Sequence, residues 1–348
     1  MVISSLALKL SIIDHYYDLI ARQGNCGLNR LMNHTMSSYI RRIARGKYGS
    51  EHLVQHEARD ALLHLFEGSD ELQMGAFLIG QRMKGETSEE IAGFVDASRT
   101  LIPGFGEVKG SAGCVDLPCY AGKRRAAPVH LAAALKARDA GIPVFVHGVE
   151  QIEGRVSAWQ RLDTAGVRRE ESLDAALNVL AHDGIVYTDL ADLCPPLFRI
   201  YNLRPRLGVR TFANTVARLL NPLRCEGQLN GFFHTPYAEK MAGANALLHQ
   251  PRSMIFMGAE GEPELYADRQ KVVAMQEGSQ IRMLDLPDSG CEPYPKEIAE
   301  LDVIAERFAA ILQGQPAARE SATLERMMAA FCWASGGEMP SEWKIKEA

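Results

Sequence analysis

Two kinds of residue cluster in this chain could do chemistry on a phosphate. The first is acidic. The stretch GAEGEPELYADR, residues 258–269, gathers Glu260, Glu262, Glu264 and Asp268. Carboxylates set that close can hold magnesium, a hard cation that takes oxygen ligands, against a phosphate. They can equally form a solvated turn. Pro263 sits in the middle of the run, where it adds rigidity and no ligand. The second kind is basic. Lys123, Arg124 and Arg125 are consecutive, Arg204, Arg206 and Arg210 follow later, and Arg41, Arg42, Arg45 and Lys47 form a further cluster. The net charge of the chain is -5, so a polyanion would have to be met by such local patches. For the Arg41–Lys47 cluster there is a bland alternative, cations in the last turn of a helix complementing its dipole. Aromatic residues near the other basic clusters are sparse, apart from Tyr120 and Tyr201. Neutralisation of a polyanion's backbone is therefore expected over stacking.

The seven cysteines, Cys26, Cys114, Cys119, Cys194, Cys225, Cys291 and Cys332, are scattered and odd in number. That usage fits a reducing compartment better than a disulfide framework. Cys114 and Cys119 have no second pair of matching spacing, so small buried thiols are expected there, not a metal site. No stretch reaches the roughly 18 apolar residues of a membrane span. The opening MVISSLALKLSIID is interrupted by Lys9 and lacks the parts of a signal peptide. The expectation is a cytoplasmic protein with no membrane partner.

The elements that would position these residues change character along the 348-residue chain. Residues 1–35 carry no clear pattern and are expected to contribute nothing to the core, with Met36 as the expected true start and residues 1–36 as an N-terminal extension. Residues 37–102 read as an all-helical unit. Leu53, Ala58, Leu62 and Leu65 fall near helical spacing before Gly68, and Thr87 followed by Glu90 is a capping box. The small residues Gly75, Ala76 and Gly80 would let another helix approach closely. From Pro103 onward, short apolar runs such as IPVFVHG and RSMIFMG alternate with helical stretches such as PVHLAAALKARDAG. Strands alternating with helices predict a mostly parallel sheet with helical cover. The fold class is therefore α/β: a small N-terminal helical domain, then a larger α/β domain over 103–348.

MGAFLIGQRMKGETSEEIAGFVDAS and LRPRLGVRTFANTVARLLNPL resemble segments of the anthranilate phosphoribosyltransferase and pyrimidine nucleoside phosphorylase superfamily, glycosyltransferase family 3. The resemblance covers roughly residues 37–335. It implies a phosphoribosyltransferase-like fold, a dimer, and a cleft for phosphoribosyl pyrophosphate and magnesium. In the active family the acidic loop ends in an Asp-Glu pair that helps hold the magnesium. Here the matching positions are Pro263 and Glu264, so Glu264 alone remains as a metal ligand. The glycine-rich pyrophosphate cradle is replaced by DLPCYAGKRR, which keeps Gly122, and of a second phosphate motif only His147 and Gly148 survive, with Glu150 where the family has arginine. Arg204 falls where the family places an arginine on the anthranilate carboxylate. CPPL, LGVR and AEGE resemble a divergent branch, the second TrpD-type or YbiB-like proteins, which includes a sequence-nonspecific nucleic-acid binder. The resemblance thus implies a degenerate donor site at Gly122, His147 and Gly148. It also implies binding of DNA or RNA through Lys123, Arg124 and Arg125 at the cleft mouth, with Arg204, Arg206 and Arg210 lining the cleft, in a homodimer built through the helical domain. The alternative is an active pentosyltransferase with an altered acceptor, for which magnesium would be the cofactor.

Overall fold

The capping box at Thr87 forms as the sequence predicts and does more than end a helix. In the computed structural model, which describes residues 35–68, 70–232 and 237–346, Glu90 accepts from the Thr87 N–H and Thr87 Oγ1 accepts from the Glu90 N–H. The same Glu90 carboxylate is fully buried, pairs with Lys84 at 2.6 Å and accepts from the Leu53 N–H. One side chain thus caps α4 (Ser88–Arg99) and ties it to α3 (Glu71–Lys84) and to the segment preceding α2 (Gln55–Glu67). Gly93 of α4 lets α2 approach: a Cβ there would stand 2.2 Å from the Gln55 carbonyl oxygen. Helix α1 (Met36–Ile43) completes the set and packs its Ile43 against Gly80 of α3. The expected docking stripe is therefore divided. Gly80 is used inside the chain, whereas Gly75 has open space over its Cα. The expectations for residues 1–34 lie outside the described residues.

The second unit is a sheet of eight strands in the order β3-β2-β1-β4-β5-β6-β7-β8. Strands β1 (Val115–Cys119), β2 (Val144–Gly148), β3 (Ile185–Asp189), β4 (Gly227–Phe232) and β5 (Arg252–Met257) run parallel. Each of β1 to β4 is buried along its whole length, as strands covered on both faces must be. Strands β6 (Lys271–Glu277), β7 (Gln280–Leu286) and the short β8 (Lys344–Ile345) extend the sheet antiparallel. Helix α5 (Val129–Asp139) covers one face together with a long C-terminal helix over Ala318–Ala334.

Strand order reverses at β1, whose neighbours are β2 on one side and β4 on the other. In open α/β sheets the carboxyl ends at such a switch point frame a crevice. The helical unit packs against the chain that leaves the sheet beside it, with Arg99 donating to the Leu219 and Leu220 carbonyl oxygens. The segment 190–220 leaves the sheet and joins the helices: Phe212 stacks on Phe94 at 4.2 Å between centroids and meets Phe77 edge-on. A segment from within the second half of the chain thus packs onto the helical unit.

Candidate functional site

The acidic loop lies at the carboxyl end of β5 and folds back onto the segment that leaves β1. Two glycines make that approach possible. A Cβ on Gly258 would stand 1.7 Å, and one on Gly231 of β4 2.2 Å, from the Glu262 carbonyl oxygen. Glu260 sits at φ +58°, a left-handed conformation uncommon for glutamate, and the loop turns there. Its three glutamates then all point at one stretch of backbone. Glu262, 1% exposed, accepts from the Ala121 N–H at 2.9 Å and from the Gly122 N–H. Glu260 accepts from the Arg124 and Arg125 N–H groups, each at 3.1 Å, and from the Tyr294 hydroxyl at 2.9 Å. Glu264 accepts from the His130 N–H at 3.2 Å.

Adjacent N–H groups aimed at one point, with a lysine behind them, form a cradle for an anion. Gly122 suits it, at φ +67° and with Arg155 Cβ 2.9 Å from where its own Cβ would be. The cradle is filled from within the chain: carboxylates of the acidic loop occupy the N–H groups that a phosphate would use. Lys123, expected as an exposed phosphate contact, is 1% exposed and pairs with Glu264 at 2.6 Å. Burial drives the Glu264 carboxyl upward, but the Lys123 charge and the His130 hydrogen bond outweigh it and hold the group at about 2. Magnesium and a pyrophosphate do not fit this arrangement. Pro263 offers no ligand, Glu264 is committed to Lys123 and His130, and Glu262 occupies the cradle.

His147 and Gly148 lie inside the sheet framework. His147 is fully buried, with Nδ1 at 2.7 Å from the Tyr120 hydroxyl and Nε2 at 3.2 Å from Asp116. A Cβ on Gly148 would stand 2.2 Å from the Cys119 carbonyl oxygen, so this glycine lets the ends of β1 and β2 close together. Glu150 pairs with Arg169 at 2.8 Å. Of the basic triplet, Arg124 and Arg125 keep partly exposed side chains; Arg124 Nε lies 4.0 Å from Glu260.

The other basic set behaves differently. Arg206 is exposed and pairs with Glu71 of the helical unit at 3.0 Å. Arg204 is exposed and Arg210 half-buried, and neither has a carboxylate partner among the described residues. Burial, with the like charges of Arg204, Arg218 and Arg155 added, pushes the Arg210 guanidinium down to about 10. Arg210 and Arg218 line the cleft between the two units with Arg82, Asn214 and Tyr237. Arg218 donates to the carbonyl oxygens of Asn214 and Gly261 and lies 5.8 Å over the Tyr120 ring. The sequence reading missed Arg218. Arg210 lies in irregular chain and Arg218 in a short 3₁₀ turn over Ala217–Leu219, so no single periodicity in the sequence joins them.

A helical bundle set over the switch point of a parallel sheet defines the class. The chain belongs to the glycosyl transferase family: residues 37–101 match its helical bundle domain and residues 116–340 its a/b domain. Within that family it is anthranilate phosphoribosyltransferase-like. It is 31% identical to the anthranilate phosphoribosyltransferase of Haloarcula marismortui over 69% of this chain and 70% of that one. It is 27% identical to the uncharacterized protein YbiB of Escherichia coli, over 86% of this chain and 93% of YbiB. The fold is shared with the anthranilate phosphoribosyltransferase of Thermus thermophilus, at a TM-score of 0.70 and 22% identity, covering 86% of this chain and 89% of that one. It is also shared with the Saccharomyces cerevisiae enzyme in complex with PRPP and Mg, at a TM-score of 0.63 and 18% identity, covering 87% of this chain and 89% of that one. Among the described residues no helix is long and apolar enough to cross a membrane.

Proposed function

We propose that this protein binds the phosphate backbone of nucleic acid, without sequence preference, through the arginines of the cleft, and does not transfer phosphoribosyl groups. One observation carries the reading. Arg204 and Arg210 stand without carboxylate partners among the described residues, and Arg210 faces the added charge of Arg218, beside a donor cradle filled by the protein's own glutamates. Like charges held together repel, and an incoming polyanion relieves that repulsion while releasing its own counterions. Guanidinium groups suit phosphate oxygens through paired hydrogen bonds. The basic triplet contributes less than its composition suggests, because Lys123 is already paired; Arg124 and Arg125 remain available at the rim. The transferase alternative loses support at the same place, since a filled cradle leaves the pyrophosphate leaving group without its preorganised donors.

The reading includes a homodimer through α3. Leu72 and Met83 are 82% and 81% exposed, and with Ala76 and Ile79 they fall along one face of that helix. It also places the protein in the cytoplasm, in keeping with the six free cysteines among the described residues. Light scattering at micromolar concentration should give twice the chain mass; a monomer would remove the dimer from the account.

The test is a fluorescence-anisotropy titration of two oligonucleotides of unrelated sequence across a range of salt. Three arginines from each of two subunits would give a slope of log affinity against log salt of roughly -5, and a loss of about 10³ between about 50 and about 200 mM. Both sequences should behave alike. No binding at low salt, or a strong preference for one sequence, would overturn the reading. Consumption of anthranilate in the presence of phosphoribosyl pyrophosphate and magnesium, lost in Glu264→Ala, would restore the transferase.

A further inference from the structure

Glu262 uses one carboxylate oxygen in the cradle and leaves the other, Oε2, buried without a hydrogen-bond partner. A second buried atom, His130 Nε2, is also without one. Both residues are 1% exposed, and orphaned polar atoms at that depth are costly unless something outside the chain satisfies them. They belong to one cluster. Cys119, His130 and Glu262 bring a thiol sulfur, an imidazole nitrogen and a carboxylate oxygen within 4.8 Å of one another. We propose that these three side chains bind a divalent metal of the zinc class.

The donor set is the one such a metal takes, sulfur, nitrogen and oxygen together, with a fourth position left for water. Ligands at zinc distances stand roughly 3.3–3.8 Å apart in a tetrahedron, so shifts of about an ångström or less would seat the ion. The imidazole is already oriented for the task. Its Nδ1 lies 3.0 Å from Glu264; with the proton there, the Nε2 lone pair is free to coordinate. A carboxylate behind a ligating histidine is the usual way such rings are fixed. Glu264 is itself held by Lys123 at 2.6 Å. On binding, the Cys119 thiol gives its proton to solvent. Thiolate and carboxylate then balance the charge of the metal, and Lys123 continues to balance Glu264. The ion would join the end of β1, the first turn of α5 and the acidic loop, fixing Glu262 in the cradle. The position differs from the magnesium site implied by the resemblance, which falls on Pro263 and Glu264, and metal binding here does not depend on nucleic-acid binding.

The experiment uses the full-length, untagged protein, stripped with a chelator and dialysed against zinc chloride or cobalt chloride. One metal per chain should be retained by mass spectrometry of the elements. The cobalt form should show near-ultraviolet charge transfer from a thiolate. Cys119→Ser should abolish that band, and Glu262→Gln should weaken metal affinity at least about tenfold. Cys332→Ser, at an exposed cysteine, should change neither. Absence of the band in the unmodified chain overturns the proposal whether or not the variants fold. So does a band that persists in Cys119→Ser, or zinc retained below one per chain and unaffected by Glu262→Gln, which would mark an adventitious ion.

Discussion

The donor cradle and the arginine cleft lie side by side at the carboxyl edge of one sheet, and both are built for negative charge. They differ in who supplies it. In the cradle the protein does: Glu260, Glu262 and Glu264 meet five backbone N–H groups and Lys123. In the cleft Arg204 and Arg210 have no carboxylate partner among the described residues, and the charge of Arg204 adds to burial in lowering the Arg210 guanidinium. The first arrangement is closed and stabilises the fold. The second is open and leaves its free energy to be recovered by a ligand. Positive charge in a sequence therefore says little about binding until its partners are known.

That contrast can be broken by substitution. The largest effect is expected at the closed site. Lys123→Ala leaves Glu264 buried without its cation, which should cost about 3–5 kcal/mol of stability, read as a fall in the denaturant midpoint. The same pair sets a pH dependence. The Glu264 carboxyl is lowered from 4.5 to about 2 in the fold, so its contribution is complete at neutral pH and is lost as pH falls from about 4.5 through about 2. Acid unfolding of Glu264→Gln should lack that component; an unchanged acid profile would show that the pair contributes nothing.

Next comes a buried lysine without a carboxylate. Lys271 is 3% exposed, its Nζ lies 3.2 Å over the Tyr266 ring, and it has no hydrogen-bond partner among the described residues. Burial, only partly offset by Asp268, lowers its pKa from 10.5 to about 7. The unfolded chain therefore binds more protons than the folded one between those values, and stability should rise with pH across that window. Lys271→Met should raise stability near neutral pH by about 1–3 kcal/mol and flatten the rise. If it destabilises instead, the ring contact is worth more than the missing hydrogen bonds.

At the open site the expected change is in binding, not folding. Arg210→Ala should reduce the salt slope by about 0.9 per subunit engaged and leave thermal stability unchanged or raised, because it removes repulsion. The smallest effect belongs to Arg206, exposed and paired with exposed Glu71. Solvent screens such a pair, so Arg206→Ala should leave the denaturant midpoint where it is in the unmodified chain. A clear fall in that midpoint would show that the pair fastens the helical unit to the segment that carries the cleft arginines.

The parts of this architecture that depend on neighbours in the chain were legible in the sequence. The Thr87–Glu90 capping box, the helix ending at Gly68 and the apolar runs of β2 and β5 all appear where spacing and composition put them. Pro263 is visible in the sequence, and the resemblance implied that it stands where the family has a carboxylate. What could not be read was where the remaining carboxylates point. Gly122 and Glu262 are 140 residues apart, and no local periodicity records that they meet. The basic triplet misled for the same reason, because the partner of Lys123 lies 141 residues away. Cys119 and His130 were separated from Glu262 in the same way, and a metal reading confined to Cys114 and Cys119 could not find them.

The most direct measurement compares salt titrations of nucleic-acid binding for three proteins: the unmodified chain, Arg204→Ala with Arg210→Ala, and Arg124→Ala with Arg125→Ala. The account predicts that the cleft variant loses affinity for every sequence and that its slope falls by about 1.8 per subunit engaged, while the rim variant stays near the unmodified chain and neither variant has a lowered thermal midpoint. A cleft variant that binds with the original affinity and slope, or a loss confined to the rim variant, would contradict it.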